Sequence, residues 1–199
     1  MVNHGKSVVV VDFDVFSGNV ATRLKVAPVT TMIDWLKGNQ DELNKYLVDH
    51  PSGLKILPAP LNHEEGELIT EDISIKILSI LTKRYDVVIV DTPPLLIAPT
   101  LITMENATRV YVLCPPDSAT VANTLKSLRK LDMLNFERYK FKLLVTKMTK
   151  SKPLEAHNIS SSLGLELAGI IPYDDGVQVE TNKGNAPVLS RRAKNLPRQ

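Results

Sequence analysis

A doubly wound α/β fold, with a mostly parallel sheet and helices on both faces, is predicted by three features of this 199-residue sequence. Short strand-like runs recur along the chain. Two of them, Val8-Val9-Val10-Val11 and Val87-Val88-Ile89-Val90, are apolar at every position, as a parallel strand covered on both faces requires. Segments of helical periodicity separate the runs, and this alternation builds parallel sheets through right-handed crossovers. No repeat or low-complexity linker interrupts it. One domain is therefore expected over residues 1–189, with a loose basic tail at 190–199 that has little to bury.

In chain order, strands are expected at Ser7–Asp12, Leu54–Pro58, Asp86–Asp91, Arg109–Leu113, Phe141–Thr146 and Glu166–Ile171. Helices are expected at Thr31–Lys37, Asp41–Leu47, Ile73–Arg84, Ala119–Leu134 and Leu154–Leu163. In Ile73–Arg84, residues Ile73, Ile75, Ile77, Leu78, Ile80 and Leu81 give a broad apolar face at helical spacing. Ser118 stands where an N-cap belongs, ahead of a helix carrying Val121, Leu125, Leu128 and Leu131. Trp35 is expected to anchor its short helix to the core.

Composition narrows the function classes. The chain is 43% hydrophobic and 23% charged, with a formal charge of +2, so it shows no marked bias toward nucleic acid or membrane. Cys114 is the single cysteine, which rules out disulfide frameworks and CxxC sites. The four histidines share no ligand spacing. The sequence has no apolar leader-like segment, and a cytoplasmic location is the expectation.

Gly5-Lys6-Ser7 copies the last three letters of a phosphate-binding loop. Such a loop must follow a strand and open a helix. Here a β-branched run follows, so the tripeptide reads as a turn entering a strand. The chemistry lies elsewhere. In doubly wound sheets ligands gather at the carboxyl ends of the strands, and two strands end there in acids. One gives Asp12-Phe13-Asp14, followed by Ser17-Gly18-Asn19; the other gives Asp91-Thr92-Pro93-Pro94. An aspartate just past such a strand suits a magnesium-bound water, because Mg²⁺ prefers hard oxygen ligands and keeps its waters. Asp14 is placed to orient an attacking water. Strand-end acids also cap helices or form turns, and for either strand alone that plainer reading leads. The two together outweigh it.

"VVVVDFDVFSGNV" with "YDVVIVDTPP" resembles the deviant-Walker ATPases of the MinD and ParA group. The order continues through "GLKILPAP", "ATRVYVLCPPDSATVANTLKSL" and "GLELAGIIPYDDGVQVETNKGNAPVL". The Gly-Asn after Asp-x-Asp, the Leu-Pro-Ala-Pro turn and the Ile-Pro-Tyr-Asp segment look most like the CpaE/TadZ pilus-assembly branch. The resemblance implies Asp14 as the switch residue that orients water, supported by Asp12, and Asp91 as the magnesium acid. It also places Pro172 and Asp174 near the nucleotide base, with Thr146 and Lys147 where the family has an Asn-Arg or Asn-Lys pair.

The implied cofactors are ATP and Mg²⁺, and the implied partners are a second copy in a nucleotide-bridged homodimer and pilus or secretion assembly proteins. Membrane anchoring by the tail has no support, because "SRRAKNLPRQ" lacks the apolar face of an amphipathic anchor, and Arg191, Arg192, Lys194 and Arg198 read as a solvated tail ahead of a DNA or anionic-lipid contact. The family's strand, P-loop and long helix would precede Ser7, so the chain is expected to be truncated or degenerate and, by itself, neither to bind ATP tightly nor to hydrolyse it. The strands at Asp86–Asp91 and Arg109–Leu113 would then lie roughly 9.6 Å apart, twice the strand spacing, or pair directly. Either arrangement exposes apolar surface. A nonenzymatic pseudo-ATPase scaffold and a bacterial tyrosine-kinase-like domain are the alternatives.

Overall fold

The computed structural model describes residue 2, residues 5–149 and residues 153–183; the tail expected at 190–199 lies outside them. The chain forms two compact units, Met1–Thr103 and Met104–Gln199.

The first unit contains β1 (Val8–Asp12), α1 (Val20–Arg23), α2 (Met32–Lys37), β2 (Val48–Asp49), β3 (Lys55–Leu57), α3 (Glu71–Thr82), β4 (Val87–Asp91) and most of α4 (Ala98–Asn106). Its sheet order is β2-β3-β1-β4. β1 is parallel to both β3 and β4, and only the two-residue β2 runs antiparallel. Val9, Val11 and Leu57 share one face of the sheet, where Phe13, Met32, Trp35, Leu43, Ile77 and Leu81 close the core. Trp35 is fully buried and its indole N–H donates to the Gln40 carbonyl at 3.0 Å, so the anchoring role expected for it is met.

Gly5-Lys6-Ser7 is a turn, with Gly5 at φ 73°. The Ser7 backbone N–H and hydroxyl both donate to the Asp86 carboxylate, at 2.8 and 2.7 Å. These bonds tie the start of β1 to the start of β4 and hold the Asp86 carboxyl below its ordinary value, with Lys6 contributing.

The second unit contains β5 (Val110–Cys114), α5 (Ser118–Met133), β6 (Phe141–Met148), α6 (Pro153–Leu163), β7 (Glu166–Pro172) and α7 (Asp175–Asn182), with sheet order β5-β6-β7, all parallel. The strands advance in one direction, so right-handed crossovers put α5 and α6 on one face, over Val110, Val112, Phe141, Leu143 and Val145. On the opposite face Tyr111 and Leu113 are exposed.

The structure corrects several local expectations. The helix read at Asp41–Leu47 is a 3₁₀ segment, Gln40–Tyr46, broken by non-helical geometry at Glu42. Asp117, not Ser118, caps α5: its carboxylate accepts from the Thr120 N–H at 2.8 Å. The short α1, α4, α7 and β2 were not foreseen. Among the described residues β4 pairs only with β1 and β5 only with β6. Ile89 of β4 and Tyr111 and Leu113 of β5 are exposed.

Candidate functional site

Parallel pairing in register puts Asp12 opposite Asp91 at the carboxyl ends of β1 and β4, and the Phe13 N–H donates to the Asp91 carbonyl at 2.8 Å. Two strands far apart in sequence thus deliver carboxylates to one edge of the sheet. Asp14 follows two residues later, half-buried, and accepts from the Ser17 N–H at 3.2 Å.

Asp12 is buried, only 1% exposed. One carboxylate oxygen accepts from the Val20 N–H at 3.0 Å and the other from the Asp14 N–H at 3.3 Å. It therefore clamps both ends of the loop between β1 and α1. Burial pushes its pKa up to about 6; the Val20 N–H opposes the rise, while the charges of Asp91 and Asp14 add to it. Asp91 is also raised, first by desolvation at the strand end and then by the Asp14 charge, with Arg23 pulling the other way. Three like charges converge on one edge, and their repulsion adds to the rise at Asp12 and Asp91.

Gly18 completes the clamp. A Cβ built on it would lie 2.2 Å from the Ala59 Cβ and 2.8 Å from an Asp12 carboxylate oxygen. Only glycine lets the loop close onto the Pro58-Ala59-Pro60 turn after β3. Gly66 makes a second close approach, to the Val15 carbonyl and the Phe16 ring. The His63 ring lies 4.7 Å from the Phe16 ring and its Nδ1 is 3.3 Å from the Phe16 carbonyl oxygen. The sequence marked Gly18 and the turn holding Ala59 as motif letters without their contact, and His63 and Gly66 were not read as part of the site.

The other four candidates gather in the second unit. β6 and β7 shift register between Val145 and Met148, which pair with Ile170 and Pro172. There Thr146, half-buried, and Lys147, exposed at φ 55°, stand opposite the single residue Ile171. Beyond the strand ends the Tyr173 N–H donates to the Met148 carbonyl at 2.8 Å, and the Asp174 side chain caps α7 through the Gly176 N–H at 2.8 Å. Thr146, Lys147, Pro172 and Asp174 thus occupy one edge of the second sheet. The Lys147 charge also reaches Asp117 and helps lower its pKa, behind the stronger effect of the Thr120 hydroxyl and N–H.

Among the described residues, no three His, Cys, Asp or Glu side chains are grouped as a metal cage. Asp12 is committed to backbone N–H groups, which leaves Asp91 and Asp14. That donor set fits magnesium held by one carboxylate and its own waters, and it does not fit a transition metal.

No family model matches the chain. It is 24% identical over 201 residues to the septum site-determining protein MinD of Buchnera aphidicola, an alignment covering 94% of this chain and 74% of that protein. It is 27% identical over 203 residues to the antiactivator FleN of Pseudomonas aeruginosa, covering 92% and 68%. Among solved structures, a ParA family ATPase from Chlorobium tepidum superposes with TM-score 0.81 at 15% identity, covering 96% of this chain and 83% of that one. MinD from Pyrococcus horikoshii, solved with Mg-ADP, gives TM-score 0.78 at 19% identity, covering 98% and 82%. The chain has the fold of the MinD/ParA-type P-loop NTPases, and its sequence likeness runs to the MinD and FleN members of that superfamily.

Proposed function

We propose that this chain is a MinD/ParA-type ATPase-like domain of the CpaE/TadZ kind, serving the positioning or assembly of a pilus or secretion apparatus as a homodimer in the cytoplasm. The observation that carries the reading is the in-register pair Asp12 and Asp91 with Asp14 beside it. In this reading Asp91 holds magnesium through water, Asp14 orients a water and Asp12 fixes the loop that presents Asp14. Thr146, Lys147, Pro172 and Asp174 would flank the nucleotide base. Bound Mg²⁺ would neutralise phosphate charge and the carboxylates' mutual repulsion. The complex of Pyrococcus MinD with Mg-ADP supports ATP and Mg²⁺ as the ligands to test.

The same edge gives a reason to expect weak nucleotide binding by this chain alone. In this reading three carboxylates would face the phosphates, and Arg23 is the basic residue whose charge reaches Asp91. A triphosphate needs donors and positive charge. A pseudo-ATPase scaffold that retains the fold is the second reading, favoured by that same excess of negative charge.

Calorimetry with Mg-ATP tests the site. The expected result is weak, magnesium-dependent binding that Asp91→Asn abolishes. Tight binding indifferent to Asp91→Asn would overturn the assignment. The assembly role is tested separately: a strain lacking the gene, with its pili unchanged in number and place, sinks the pilus reading.

A further inference from the structure

The end of α5, entirely within the second unit, carries an apolar tip that no core contact accounts for. Met133 is 75% exposed, Leu134 55% and Tyr139 69%. All three fall within seven residues of one another, at the amino-terminal edge of the unit's sheet, where α5 turns back into β6.

The tip is built rigidly. Asn135 adopts φ 60°, its N–H donates to the Asp132 carbonyl, and the Phe136 N–H donates to the Leu131 carbonyl, each at 3.0 Å. This double bond pattern around a left-handed residue is a Schellman helix ending. Arg138 adds a two-pronged pair to Asp132, at 2.5 and 2.6 Å. The Tyr139 hydroxyl donates to Glu137 at 3.1 Å, which holds the ring in place while leaving it in solvent.

Charge is arranged around the tip. Lys126, Arg129, Lys130 and Met133 occupy positions i, i+3, i+4 and i+7 of α5 and share one exposed stripe, opposite the buried Leu128 and Leu131. The stripe has no acid. The two acids of the segment 126–142, Asp132 and Glu137, are engaged by Arg138 and Lys140. Lys142 is likewise engaged by Glu166, so Lys126, Arg129 and Lys130 are the cations of the stripe, in a chain whose formal charge is only +2.

We propose that this cationic stripe and its Met133–Leu134–Tyr139 tip form a docking surface for an anionic lipid bilayer. Basic side chains are drawn to the negative leaflet, while short apolar and aromatic side chains enter its interface. Nucleic acid would use the cations but leave the apolar tip without purpose, so lipid is the occupant that accounts for both halves of the surface.

The test is vesicle flotation of the full chain at low salt. The probes are phosphatidylcholine vesicles with and without about 30 mol% phosphatidylglycerol. Binding is expected on the anionic vesicles and is expected to fall at roughly 0.5 M salt. Each basic residue near the surface is worth roughly fivefold, so Arg129→Glu with Lys130→Glu should lower partitioning by more than about twentyfold. Met133→Ser with Leu134→Ser, at exposed sites that do not support the core, should lower it about tenfold. Equal partitioning onto neutral and anionic vesicles, or full retention in either double variant, overturns the proposal. So does duplex DNA that binds more tightly than vesicles, loses binding in the charge variant and ignores the serine variant.

Discussion

β1 and β4 are adjacent strands of one sheet with nearly the same sequence, Val-Val-Val-Val-Asp and Val-Val-Ile-Val-Asp, yet they live in different surroundings. β1 is central: Val8, Val9, Val11 and Asp12 are buried. β4 is an edge: Ile89 is 44% exposed and the other valines are half-buried. The contrast extends to the terminal acids, because Asp12 is enclosed and spent on backbone N–H groups while Asp91 remains open to a ligand. Two equal sequences thus acquire unequal roles, support and binding, from their position in the sheet.

The comparison predicts a graded set of responses. The largest belongs to the core that covers β1. Trp35→Ala should cost about 3–5 kcal/mol, read by urea unfolding; a loss below about 1 kcal/mol would mean the α2 face is not packed as described. Next comes the buried acid. The Asp12 pKa is raised, so the folded state holds the proton that the unfolded chain releases, and stability falls as pH climbs from 3.8 to about 6. The loss is about 3 kcal/mol by linkage. Relative to the parent, Asp12→Asn should therefore gain stability between pH 4 and pH 7, on the order of that amount. Parallel pH profiles for the two proteins would show that Asp12 is not buried.

Gly18→Ala is expected to cost about 1–3 kcal/mol by overpacking against Ala59 and Asp12. It should also weaken any magnesium-dependent binding, because Asp14 rides on the same loop. Asp117→Ala, which removes the α5 cap, should cost about 1 kcal/mol in thermal or urea unfolding. At the edge, Ile89→Lys should change stability by less than about 0.5 kcal/mol while reducing self-association measured by sedimentation. A large loss there would show that β4 is covered after all.

Much of the fold was legible because its signals are local. Unbroken apolar runs located β1, β4 and β5, and turn residues bounded them. Helical spacing located α3 and α5. α4 escaped because Pro99 stands near its start and its apolar residues form no clean stripe. The 3₁₀ segment Gln40–Tyr46 escaped because its residues suit a helix and the break at Glu42 leaves no trace in composition. Asp12, Asp14 and Asp91 were legible as acids at strand ends. The packing that requires glycine at 18 was not, since its neighbour Ala59 is 41 residues away and only the folded chain brings them into contact.

By itself the sequence determined the alternation of strands and helices, the acids that end two strands and the lack of a cysteine pair, because these depend on residue type and short-range order. The tertiary structure decided which valine strand is central and which is an edge, which aspartate becomes a clamp and which stays available, and which apolar residues remain in water. Those outcomes depend on pairing partners distant along the chain, and hydrophobicity and backbone propensity alone do not specify them.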